Sequence, residues 1–362
     1  MRIRQKKSTA RNSKNRAFKL PTTRTSLFTT IVVLVLAFIF SQSERLAEAR
    51  LPQDGHPPEL FANQTRDDLR QVILSGIQEA KQSILLIIYT LTDDKVIQSL
   101  RKKSEEGIDV WVICDAKASP HAASKLGSKV RIVKRFATGL MHQKILIVDE
   151  QRAWIGSANM TGESLRVHGN LIMAIYSPHL AAAVIKKAKC MKASASERSF
   201  SHCNFGVGGQ KLELWFFPDD PNGVQRLIQL IRSAEKTVRV AMFTWTRNDL
   251  ASAVIEASLR GVNTEVVIDR HSGLGSSAGI VKVLCEGRIP VRLSQGNALL
   301  HHKFLYIDGK TLVNGSANWT KAAFTKNDDC FIILHDLTEE QRVLLDRLWE
   351  VIVAESSPVA SQ

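Results

Sequence analysis

The chain has 362 residues and a formal net charge of +14, placed unevenly: residues 1–50 hold 11 basic and 2 acidic residues, leaving 38 basic and 33 acidic, a net of +5, on the remainder. A body this mildly basic suits an anionic substrate without demanding nucleic acid, and no long basic stripe with interleaved aromatics marks a single-strand groove. Five cysteines show no metal-ligand spacing, which excludes a cysteine-based metal centre.

Residues 1–26 carry nine Lys or Arg and no acid, and Leu27 to Phe40 is a 14-residue apolar run broken only by Thr29 and Thr30. A basic flank before such a run has the form of an export signal, with Ala47-Glu48-Ala49 as a cleavage site. The run is short for a spanning helix of about 20 residues, so a cleaved signal and a retained anchor both stay open. Either predicts a body exported across, or anchored to, a membrane on its non-cytoplasmic side. That body divides into a first lobe over 51–190, a Ser- and Gly-rich linker over 191–211 and a second lobe over 212–362.

In the first lobe Val72, Ile73, Ile77 and Ala80 mark one face of a helix. Ile84 to Tyr89 is a continuous apolar run, the pattern of a strand buried on both faces. A helix over 93–106 is ended by Gly107, and Ile108 to Cys114 makes the next strand. Residues 213–269 repeat 59–115 without a gap at an offset of 154: Glu59-Leu60-Phe61 falls on Glu213-Leu214-Trp215, Gly107 on Gly261 and Asp115 on Asp269. Five extra residues then enter the second copy, a last strand and helix cover 330–353, and 355–362 read as a frayed end. Cys190 and Cys203 flank the linker and can pair if the lobes are exported. Strand–helix–strand order, twice over, predicts an α/β chain of two tandem α/β/α lobes, each a mixed, mostly parallel sheet between helices. Tyr89, Phe243, Trp245, Asp115 and Asp269 fall at strand ends, where a site is commonly rimmed.

One six-residue pattern occurs twice, 159 positions apart. His142, Lys144, Asp149, Gly156, Ser157 and Asn159 match His301, Lys303, Asp308, Gly315, Ser316 and Asn318 at identical spacing. A neutral imidazole is a good nucleophile near pH 7, and a second can protonate a departing alkoxide. Lys144 and Lys303, two residues beyond their His, share its face on a strand and bring two positive charges to an anionic group bound beside it. Asn159 and Asn318 add amide donors, and Gly156 and Gly315 allow close backbone approach. Ser157 and Ser316 are local hydrogen-bonders that hold the turn.

These paired motifs resemble those of the phospholipase D superfamily, and the resemblance covers nearly everything after residue 58. It implies one active site at the interface of the two lobes, with one His attacking phosphorus, the other protonating the leaving oxygen, and neither metal nor other cofactor. It makes Asp149 and Asp308 supporting ion-pair residues. The family's Asn-x-acid element appears as Asn327-Asp328-Asp329 in the second copy but as Asn170-Leu171-Ile172 in the first. The resemblance therefore sets Asp329 against His142 and leaves His301 without a carboxylate, which favours His142 as nucleophile and His301 as acid.

The implied activity is hydrolysis of the distal phosphodiester of glycerophospholipids by a two-lobed monomer at a membrane surface. An endonuclease acting on DNA or RNA, a phosphatidyl transferase like the cardiolipin synthases, and a non-catalytic protein that binds lipid or an envelope partner are the competing readings; the completeness of both motifs counts against the last.

Overall fold

The computed structural model describes residues 51–136, 138–191 and 200–359. The apolar run and its cleavage site lie outside these residues. The described residues form one compact unit.

The first sheet contains β1 (Glu59–Ala62), β2 (Ser83–Ile88), β3 (Asp109–Asp115), β4 (Arg131–Arg135), β5 (Lys144–Val148), β6 (Arg152–Gly156) and β7 (Leu171–Tyr176), in the order β1-β7-β6-β5-β2-β3-β4. The second contains β8 (Cys203–Val207), β9 (Gln210–Phe217), β10 (Thr237–Met242), β11 (Asn263–Ile268), β12 (Val291–Ser294), β13 (Lys303–Ile307), β14 (Thr311–Gly315), β15 (Asp329–Leu334) and β16 (Ser356–Pro358). Its central seven strands repeat the first order as β9-β15-β14-β13-β10-β11-β12, with β8 and β16 added at the two edges.

Mixed sheets flanked by helices are as expected, but the parallel share is smaller. Only β2-β3-β4 and β10-β11-β12 run parallel. The reason lies in the motif itself, because β5–β6 and β13–β14 are hairpins closed by three residues, and a turn that short permits only antiparallel pairing. The segment expected as linker also differs. Residues 203–207 extend the second sheet as β8, paired with β9, while 192–199 lie outside the described residues. The end expected to fray supplies β16, which pairs with β12.

Period-two alternation divides each strand between two cores. Ile84, Leu86 and Ile88 of β2 enter the first lobe's own core, while Leu85 and Ile87 enter a core shared by both lobes. Phe331 and Ile333 of β15 face the second lobe's core, and Ile332 and Leu334 face the shared one. The helices Pro178–Cys190 and Glu339–Ala354 contribute Leu180, Val184, Leu348 and Ile352 to that shared core. Burial on both faces is what selected continuous apolar runs over alternating ones. All five cysteines are free, so Cys190 and Cys203 do not pair.

Candidate active site

Each His sits two residues before its strand, and the opposite lobe holds the chain there. His142 N–H donates to Asp328 O at 2.8 Å, and in the other copy Gly169 N–H donates to Leu299 O at 2.8 Å. The residue before each His is tied down by a strand-end carboxylate: Met141 N–H to Asp115 Oδ2 at 3.1 Å, and Leu300 N–H to Asp269 Oδ2 at 3.0 Å. Asp115 and Asp269 therefore fix the backbone entry to each His. Tyr89 and Phe243 pack on the His142 and His301 rings at 5.1 and 4.9 Å, and each also lies under the paired lysine. Trp245 is fully buried against Trp319 and lines no opening.

The two imidazoles are buried and held through Nδ1. His142 Nδ1 lies 2.9 Å from Asp329 Oδ1, and His301 Nδ1 lies 3.0 Å from Asn170 Oδ1. Asn170 thus occupies the place that Asp329 holds in the other copy. The signal was available: each residue lies 13 positions after its motif serine, and those serines make equivalent bonds. Ser157 Oγ donates to Asn170 Oδ1 at 2.8 Å and Ser316 Oγ to Asp329 Oδ1 at 2.7 Å. Asn170 Nδ2 donates to Ser164 O at 2.9 Å, which orients its oxygen toward the imidazole. Both acceptors demand a proton on Nδ1, leaving each Nε2 as the free nitrogen.

Lys144 Nζ donates to His142 O, and Lys303 Nζ donates to His301 O at 2.7 Å. Burial pushes Lys144 down to about 7 and Lys303 well below its ordinary value. Burial and then the neighbouring lysines lower both histidines, His301 strongly. Burial alone would raise the Asp329 carboxyl, but His142, Lys144 and Ser316 hold it below its ordinary value. The site therefore gathers four nitrogen bases against the Asp329 carboxylate, with Asp115 and Asp269 also favouring the charged forms of Lys144 and Lys303, and an arriving anion would reverse most of these shifts.

Asn159 and Asn318 follow Gly-Ser in each copy, and each Oδ1 is buried without a hydrogen-bond partner. Thr161 and Thr320 cap the short helices that follow, accepting from Ser164 N–H and Ala323 N–H. The motif glycines are spatially required. A Cβ on Gly156 would meet Leu171 O at 2.2 Å, and one on Gly315 would meet Cys330 O at 2.5 Å. Asp149 and Asp308 correct the expectation of ion pairing. Both sit at positive φ past the far end of the strand that starts at the lysine. Asp149 accepts N–H bonds from Lys81, Gln82 and Ser83, and Asp308 from Glu235, Lys236 and Thr237. They tie the β2 and β10 entries to the hairpins, away from the imidazoles.

One contact has no sequence signature. Arg135, at the end of β4, forms a buried ion pair with Asp328 at 2.8 Å, bracing the residue whose carbonyl holds His142.

The family model described as cardiolipin synthase, PLD-like domain matches residues 73–191 and 227–349, one match per lobe. A protein named mitochondrial cardiolipin hydrolase from Chlamydomonas reinhardtii is 29% identical over 194 residues, covering 47% of this chain and 86% of that protein. Its mouse namesake is 32% identical over 138 residues, covering 37% of this chain and 61% of that protein. The chain thus spans about three fifths of the length of the mouse relative. The solved phosphatidylserine synthase of Haemophilus influenzae has the same fold, with a TM-score of 0.64 at 12% identity over 88% of this chain and 91% of that one.

These relatives overturn the expectation of an exported or anchored protein, because those named are mitochondrial hydrolases. No helix among the described residues is long and apolar enough to cross a membrane. With the family model covering both lobes, the chain belongs to the cardiolipin synthase, PLD-like domain family of phospholipase D-superfamily phosphodiesterases.

Proposed function

We propose that the chain hydrolyses the distal phosphodiester of glycerophospholipids through a phospho-histidine on His142. The observation carrying this reading is the pair of Nδ1-anchored imidazoles, with Nε2 free and two lysines beside them. His142 Nε2 attacks phosphorus while the bond to the leaving oxygen breaks. His301, protonated, gives its proton to that oxygen, releasing the head group as an alcohol. Water then attacks phosphorus, passing a proton to His301, and the P–N bond breaks to leave phosphatidic acid. Asp329 favours His142 as the nucleophile because a phospho-imidazole carries positive charge, which a carboxylate 2.9 Å away stabilises. Lys144, Lys303 and the Nδ2 groups of Asn159 and Asn318 donate to the phosphoryl oxygens.

The relatives named for cardiolipin hydrolysis support a lipid substrate over nucleic acid. The full-length chain should release phosphatidic acid from mixed phospholipid micelles with chelator present. His142→Ala should abolish that release and the acid-labile phosphoenzyme with it. Cleavage of an oligonucleotide in place of any lipid, or wild-type turnover by His142→Ala, would refute the reading.

A further inference from the structure

The residue that meets each imidazole is held by different means in the two lobes. In the second sheet β9 runs on to Phe217, which pairs with Asp329. In the first sheet β1 stops one residue earlier in the repeat, where Ala62 pairs with Leu171, so Asn170 has no strand partner. A side chain takes over there. Asn63 opens a tight 3-10 turn, Asn63–Thr65, and its Oδ1 accepts from Asn170 N–H at 3.1 Å. The next residue, Gln64, lies with Oε1 2.7 Å from His302 Nε2 and donates through its own Nε2 to the Glu355 carboxylate. A carboxylate only accepts, so the Gln64 nitrogen faces Glu355, its oxygen faces His302, and His302 carries its proton on Nε2.

These contacts close on the strip that carries Asn170. A Cβ on Gly169 would meet Gln64 Oε1 at 2.6 Å and His302 Nε2 at 3.1 Å. Gly169 pairs with Leu300, the residue before His301. The turn is fixed by bonds of its own, because Asp67 Oδ2 accepts from Ala62 N–H at 2.8 Å and from Thr65 Oγ1 at 2.9 Å. A rigid element therefore holds both Asn170, which meets the His301 ring, and His302, its chain neighbour. Asn63 Nδ2 and His302 Nδ1 are buried without a hydrogen-bond partner among the described residues, a desolvation cost that apolar side chains would avoid. At the repeat offset of 154 the counterparts of Asn63 and Gln64 are Phe217 and Pro218, whose side chains accept no hydrogen bond. The groups nearest the ring are also neutral: Asn63, Gln64 and Asn170 are amides, and burial followed by Lys303 pushes His302 down to about 3.

We infer that Asn63 and Gln64 are positioning residues for His301, holding Asn170 and His302 so that the ring is aimed at the departing oxygen without a carboxylate beside it. The inference rests on the roles proposed above, in which His301 gives its proton to that oxygen. Both residues act through Asn170 or His302 and make no bond to the imidazole themselves. An amide partner suits a ring that must release its proton, since a carboxylate would stabilise the charged form.

The test uses the full-length chain with two substrates: phospholipid micelles, whose leaving alkoxide needs a proton, and bis(p-nitrophenyl) phosphate, whose leaving group needs none. Asn63→Ala and Gln64→Ala should each lower lipid hydrolysis by about 10- to 100-fold, the range for outer-shell partners of a functional His. The nitrophenyl burst, which also shows that each variant is folded, should fall far less. Asn63→Asp keeps the acceptor for Asn170 N–H and should recover most of the lost rate. An equal loss on both substrates, an unchanged lipid rate, or no recovery in Asn63→Asp would overturn the inference. If His301→Ala itself loses equally on both substrates, the division of roles fails and the inference falls with it.

Discussion

The two half-sites share residue types and spacing, yet one presents a carboxylate to its imidazole and the other an amide. Asp329 and Asn170 both accept from Nδ1, so both set the tautomer; only Asp329 also stabilises a positive ring. The same side has a further brace, the buried Arg135–Asp328 pair, whose counterparts 159 positions away are Ser294 and Gly169. Reinforcing one imidazole and sparing the other is what division into nucleophile and proton carrier calls for. A duplicated motif need not mean duplicated roles.

The sharpest way to break the comparison is to remove the spared imidazole. His301→Ala should reduce hydrolysis of lipid, whose leaving group is an alkoxide, by roughly 10²- to 10⁴-fold, the worth of general acid catalysis. The loss should shrink markedly in the burst of bis(p-nitrophenyl) phosphate, whose leaving group needs no proton. An equal loss with both substrates would reverse the assigned roles. Next in size, Asp329→Asn makes the half-sites alike. It retains an acceptor for Nδ1 while losing the charge, and a fall of about 10- to 100-fold in kcat is expected, in the range seen for outer-shell partners of a functional His.

The converse change, Asn170→Asp, should act mainly on pH dependence. His301 lies well below its ordinary value, and an added carboxylate raises it, by roughly one pH unit or more. The acid then stays protonated to higher pH, so the basic limb of kcat/KM should move upward. An unmoved limb would detach His301 from the proton transfer. The smallest effect needs no mutation. Burial holds His142, His301 and Lys144 below their ordinary values, Lys144 at about 7. Inorganic phosphate favours their charged forms, so its binding at pH 7 to 8 should take up protons. Calorimetry in buffers of different ionisation enthalpy would read that uptake.

The paired histidines and lysines, and the glycines that admit β7 and β15 backbone, were legible because each motif is one hairpin with its chemistry local in sequence. The buried strands were equally legible, since burial on both faces leaves unbroken runs such as Ile84 to Tyr89. Asp149 and Asp308 were misread because a conserved spacing carries no statement of partner; their bonds go to backbone 66 to 73 residues away. The edge strands β8 and β16 were missed because an edge pairs on one side only and needs no apolar run.

By itself, then, the sequence determined the duplication, the α/β character and the identity of the site's cationic groups, all encoded by local period and spacing. Only the tertiary structure decided which partner each imidazole meets, across 187 residues for His142 and Asp329 and 131 for His301 and Asn170. Those outcomes depend on how two sheets pack around one shared core, and packing geometry leaves no periodic trace along the chain.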